Sequence, residues 1–173
     1  MFYSSGALSH RNHTPTVAVR PFDHLRKGTA LGDGGGLVVM ETLESALRRK
    51  APIICEVLGA ASFCHSLHPT SPDPTGWDTF SVVKEAMVEG GITPSEIDYV
   101  NAHAASNPMG DIPEAIGIEK IFGSEKAHYS LEHLKNLKFE DTAPEALNKD
   151  LSRRILVNSL KGNLGHPLLS SGS

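Results

Sequence analysis

The chain has 173 residues, 39% of them hydrophobic, with a net charge of -4 and a pI near 6.1. That length suits one domain of ordinary core size, the acidic balance argues against a nucleic-acid binder with its usual basic face, and no apolar stretch approaches the ~18 residues of a membrane helix. Two cysteines, Cys55 and Cys64, cannot build a disulfide framework and fit a reduced intracellular compartment.

In chain order, Arg20-Pro-Phe-Asp23 reads as loop and Gly32-Asp-Gly-Gly-Gly36 as a tight turn in which glycine supplies positive φ. The glycines lack the Gly-Lys-Ser/Thr ending of a phosphate loop. Leu37 to Glu41 predicts a strand. Thr42 then caps a short helix with Leu43, Ala46 and Leu47 on one face, and Arg48, Arg49 and Lys50 suit its negative pole. Ile53 to Ala60 predicts a second strand, apolar and buried on both faces, which makes Cys55 a core thiol. Three prolines between Pro69 and Gly76 require a loop. Trp77 to Glu89 predicts an amphipathic helix carrying Phe80, Val83, Ala86 and Met87 on one face, stopped by Gly90-Gly91.

Two stretches then repeat one pattern. Ile97 to Val100 is short and β-rich and runs into Asn101-Ala-His103, followed by a helix from Gly110 to Phe122. Ile155 to Val157 runs into Asn158-Ser-Leu-Lys161 and Gly165-His166. Two histidines just past strand ends, with one lysine, are the chemistry on offer. Between them, residues 125–152 are rich in polar and charged groups and predict a surface insertion holding at most a short helix at Leu131, Leu134 and Leu137. Such an insertion costs little loop entropy.

These stretches together resemble the β-ketoacyl-acyl carrier protein synthases, condensing enzymes of the thiolase fold. The resemblance rests on order and spacing. Ala7-Leu-Ser, Arg20-Pro-Phe-Asp23, Arg26, the Gly-Asp-Gly turn, Glu41 and Glu44 come first. Pro72-Asp-Pro74, Asn101-Ala-His103, Gly110-Asp111, Glu114, Ser159, Lys161 and Gly165-His166 follow. The residues after His103 and Lys161 lean toward the mitochondrial and bacterial type II branch. The resemblance implies an α/β, thiolase-like fold, with 1–173 as one partial C-terminal domain lacking the half that carries the nucleophilic cysteine. The arginine- and serine-bearing start, which superficially suits a transit peptide, is then the interior of a longer chain.

The implied activity is decarboxylative condensation of acyl and malonyl thioesters in fatty acid synthesis, mitochondrial in a eukaryote and cytoplasmic in a bacterium. His103 and His166 would stabilise the enolate, and Lys161 would set the field around them. Asp111 and Glu114 would support loops near Lys161, and His68 and Thr70 would line the pantetheine channel. The implied partner is acyl carrier protein bearing the thioesters, and the full-length form is implied to be a homodimer. No cofactor is expected. No metal is expected either, since Cys64, His65 and His68 lack a fourth ligand. Where the family places threonines two and four residues after the first histidine, this chain has Ala105 and Asn107. Those departures keep open an alternative, a catalytically inactive fragment or a non-enzymatic partner subunit of a complete synthase.

Overall fold

The computed structural model describes residues 6–64, 67–68, 71–123, 130–141 and 155–168. Its longest helices are α2 (Trp77–Gly90) and α3 (Pro108–Phe122). Helix α2 ends where Gly91 turns left-handed at φ 67°. The Ile92 N–H then reaches back to the Met87 carbonyl at 3.0 Å, closing the last turn as a glycine cap does. Helix α3 begins at Asn107, whose side-chain oxygen accepts from the Met109 N–H at 3.0 Å, with Pro108 in the first position, where no N–H is needed.

The two helices cross where side chains vanish. A Cβ on Gly117 would stand 2.6 Å from the Thr79 Cβ and 2.7 Å from the Gly76 carbonyl oxygen. Beyond this crossing lies the main core, Phe80 and Met87 of α2 against Ile121 of α3, with Val83, Ile92, Ile97 and Phe122 around them. A short helix α4 (Leu131–Asn136), capped by Ser130, closes it. Part of the 125–152 stretch is therefore not solvated surface. Leu134 is 0% exposed and Leu137 is buried, and Phe139 meets Phe80 edge to face at 5.5 Å. A polar-rich stretch hid three apolar side chains that reach the core from the end of α4 and the turn after it.

Strands β1 (Tyr99–Asn101) and β2 (Leu156–Asn158) pair in parallel, in the register Tyr99 to Leu156, Val100 to Val157 and Asn101 to Asn158. Helices α3 and α4 lie between them in sequence, the crossover that a parallel pair requires. A second, smaller cluster of Ala102, Ala104 and Ile118 sits beneath the ends of these strands and shares Phe122 with the main core.

Two expected strands are absent. Residues 37–41 and 53–60 are irregular, with Leu37 89% and Ile54 96% exposed. Cys55 is exposed with them rather than a core thiol. β-Branched residues record suitability for a packed sheet, but a strand exists only when its N–H and C=O groups find a neighbour, and among the described residues these segments have none in a ladder. Between them, helix α1 (Leu43–Arg48) forms as expected, with Thr42 accepting from the Ser45 N–H, but it buries only Ala46. Among the described residues no helix is long and apolar enough to cross a membrane.

The α2–α3 crossing gives a test. Alanine at an ordinary helix position gains ~1 kcal/mol over glycine, whereas overpacking a close contact costs roughly 1–3 kcal/mol. The atoms facing Gly117 are mostly backbone and cannot swing away, so Gly117→Ala is expected to lower the urea midpoint. An unchanged or raised midpoint would show that the helices separate without loss.

Candidate active site

Parallel pairing sends both histidine corners off the same end of the sheet. The ladder continues one step past the strands, where the Ala102 N–H donates to the Asn158 carbonyl at 2.7 Å. Beyond that point the His103 and His166 rings meet edge to face, their centroids 5.2 Å apart and their planes at 74°.

Each histidine is held by its own peptide. The N–H groups of His103 and Ala104 donate to the two oxygens of Glu114 at 2.6 and 2.7 Å. One carboxylate on the second turn of α3 thus grips the whole corner. The His166 N–H donates to the Ala30 carbonyl at 2.7 Å, and its carbonyl accepts from Gly32. Gly32 has no positive φ. Its lack of a side chain matters for another reason, since a Cβ there would overlap the Leu164 carbonyl oxygen. Gly165 is the residue of this corner that does need the left-handed region, at φ 73°.

Lys161 opens the short helix α5 (Lys161–Leu164) and is 5% exposed. Burial lowers its pKa, while the charges of Glu114 and Asp111 oppose that shift. Burial, together with the lysine charge and the other ring, pulls His103 down to about 4. His166 is lowered by the same first two causes. Both rings are therefore neutral near pH 7, and each keeps one ring N–H to donate.

Asp111 is 1% exposed and ties α3 to the loop before it. Its oxygens accept from the Phe22 N–H at 3.0 Å and the Asn107 N–H at 3.1 Å, and the Arg26 Nε stands 3.6 Å away. Burial raises the pKa of Asp111 and of Glu114, and in each case backbone hydrogen bonds to the charged form work against the rise.

The structure thus brings together five of the seven residues singled out from the sequence: His103, His166, Lys161, Asp111 and Glu114. His68 is exposed and its Nδ1 accepts from the Ser71 N–H at 3.0 Å, a turn contact. Thr70 lies outside the described residues. Asn107, one of the departures from the family pattern, has its side-chain oxygen committed to capping α3, and Ala105 beside it is buried. Two residues carry more than their sequence signal suggested. Ser106 is fully buried at φ 69° and its hydroxyl accepts from the Arg20 N–H at 2.9 Å. Ser159 contacts both corners. Ser106 stands in a run of small residues that marks no role, and Ser159, though part of the family pattern, carries no mark of the contacts its hydroxyl makes.

The buried histidines give the site a pH signature. With His103 held near 4 in the folded chain against ~6.5 when unfolded, the unfolded chain binds the extra proton between those values. Stability is then fully present above the unfolded value and is lost as pH falls toward 4. The urea midpoint should fall between pH 7.5 and pH 5, and His103→Gln should flatten part of that slope. An identical slope in the variant would mean that His103 titrates normally.

Comparisons with known proteins point to one family. Residues 54–137 match the family described as "Beta-ketoacyl synthase, C-terminal domain". The chain is 42% identical over 123 residues to the chloroplastic 3-oxoacyl-[acyl-carrier-protein] synthase I of Arabidopsis thaliana, an alignment covering 71% of this chain and 26% of the relative. It is 33% identical over 173 residues to a putative mitochondrial 3-oxoacyl-[acyl-carrier-protein] synthase of Schizosaccharomyces pombe, covering 99% of this chain and 35% of the relative. Among solved structures it superposes, at a TM-score of 0.75 and 29% identity, on a ketosynthase in complex with a type II polyketide acyl-carrier protein, covering 96% of this chain and 35% of that one. The chain therefore spans about a quarter to a third of the length of these proteins. Chloroplastic relatives widen the range beyond the mitochondrial and bacterial forms expected from the sequence. Two histidine corners on one parallel pair, a shared fold and identity along nearly the whole chain make this a member of the β-ketoacyl synthase family, with a thiolase-like fold.

Proposed function

We propose that this chain supplies the enolate-stabilising half of a β-ketoacyl-acyl carrier protein synthase site in fatty acid synthesis. The observation that carries the reading is the pair of neutral imidazoles, ring centroids 5.2 Å apart, beside a buried lysine. A malonyl thioester binds with its carbonyl oxygen between the two ring N–H groups. The bond to the carboxylate breaks, CO2 leaves, and the electron pair moves into the thioester carbonyl, whose oxygen takes the negative charge. Fixed donors aimed at that oxygen favour the charged state over the ground state.

The second half-reaction is attack by this carbanion on an acyl thioester, with a thiolate leaving. We assign that thiolate to neither cysteine of the chain, since Cys55 and Cys64 stand exposed on irregular segments. The donor of both thioesters is an acyl carrier protein. That reading is supported by the names of the synthase relatives and by the related ketosynthase solved with its carrier protein. Burial, with the charge of Lys161 added to it, keeps both rings neutral. Glu114 and Asp111 hold the loops that aim them.

In isolation the chain is expected to release CO2 slowly from malonyl-acyl carrier protein, the enolate taking a proton from water to give the acetyl thioester, and to form no β-ketoacyl product. Removing one oxyanion donor commonly costs roughly 10²–10³-fold in rate, so His103→Ala and His166→Ala should each lose most of that release. Labelled CO2 counted from [3-13C]malonyl thioester would measure it. Release undiminished in both variants would end the reading.

A further inference from the structure

Ser159 directly follows β2 and is 4% exposed. Its N–H donates to the Asn158 side-chain oxygen at 2.7 Å. Its hydroxyl lies 3.3 Å from the carbonyl oxygen of His103 and 3.3 Å from the backbone N–H of Lys161. The direction of these two bonds needs no observed hydrogen. A carbonyl can only accept and an N–H can only donate, so the hydroxyl proton goes to His103 and a lone pair receives Lys161. One small side chain thus stands as an extra rung past the end of the sheet, made by a hydroxyl where the backbone ladder has stopped.

This rung completes a clamp. The His103 peptide is held at its N–H by Glu114 on α3 and at its carbonyl by Ser159 on the other corner. Glu114 alone would fix His103 to its own helix, leaving its distance from Lys161 and His166 to the short sheet. Among the described residues, it is the bond through Ser159 that ties the histidine's own peptide to the peptide that carries the lysine.

We propose that Ser159 is a positioning residue that sets the separation of the two imidazoles by joining the His103 carbonyl to the Lys161 N–H. The proposal deepens the decarboxylation reading and rests on it only for its rate arm.

The test uses the 173-residue chain with ring-labelled histidine, as wild type, Ser159→Ala and Ser159→Cys. The cysteine keeps the volume but replaces a strong hydrogen-bonding group with a weak one, so packing and hydrogen bonding are told apart. Far-UV circular dichroism establishes that each variant is folded, and the cysteine variant carries the test if the alanine one is not. The expected result in a folded variant is loss of the nuclear Overhauser contact between the two rings. His103 should also titrate closer to the ordinary histidine range, and malonyl decarboxylation should fall about tenfold to a hundredfold, the scale of a misplaced catalytic group. Ring contact and His103 titration both unchanged in the folded variants would overturn the proposal. Should His103→Ala and His166→Ala both leave decarboxylation undiminished, the functional reading fails, while the ring contact and titration still decide the part played by Ser159.

Discussion

Tyr99 with Leu156, Val100 with Val157 and Asn101 with Asn158 form a short parallel ladder, and the meeting of the two histidine corners follows from it. Parallel strands point their ends the same way. Groups that follow each strand therefore emerge side by side, as ligand sites do at the carboxyl ends of strands in α/β sheets. An antiparallel pair would have placed the two histidines at opposite ends of the sheet. The small residues after β1 allow what comes next. Ala102, Ala104, Ala105 and Ser106 are all buried, and among them only the His103 ring is half-exposed.

Charge in this corner is arranged in opposition. One buried cation, Lys161, faces two largely enclosed carboxyls, Glu114 and Asp111, and burial together with that cation holds two imidazoles neutral. Burying an ion without partners costs several kcal/mol. Here backbone N–H donors offset part of that: two on Glu114, and those of Phe22 and Asn107 on Asp111. The same bonds that offset desolvation also hold the loops, so electrostatics and positioning are one arrangement.

Much of this was legible in the residues. Helix α2 announces itself by apolar spacing and its glycine stop, α3 was legible from Gly110 to Phe122 but not its cap at Asn107, and both histidine corners follow short β-rich runs. The failures have one cause. Leu37 to Glu41 and Ile53 to Ala60 carry the composition of strands, but pairing is a property of a distant neighbour and leaves no trace in the segment itself. Cys55 was misplaced as a result. Gly32 was misread in a different way, because a close approach to Leu164 and a positive φ select the same residue for different reasons. Ser159 and Ser106 act through a single hydroxyl each, and no local pattern distinguishes them from surface serines.

The bonds that assemble this corner join residues far apart in the chain. Phe22 and Asp111 are separated by 89 positions, Arg20 and Ser106 by 86, and His103 and Ser159 by 56. The helix caps, by contrast, form between near neighbours, and the α2–α3 crossing joins Gly76 to Gly117, nearer in the chain than any of these pairs. Closing long loops costs entropy before any contact repays it, and such contacts slow folding. The helical core should therefore order first, with the two histidines meeting only in the last steps. By the same logic the corner is the first part to open when the molecule fluctuates, and amide exchange at His103 and His166 would run ahead of exchange at Phe80 and Ile121.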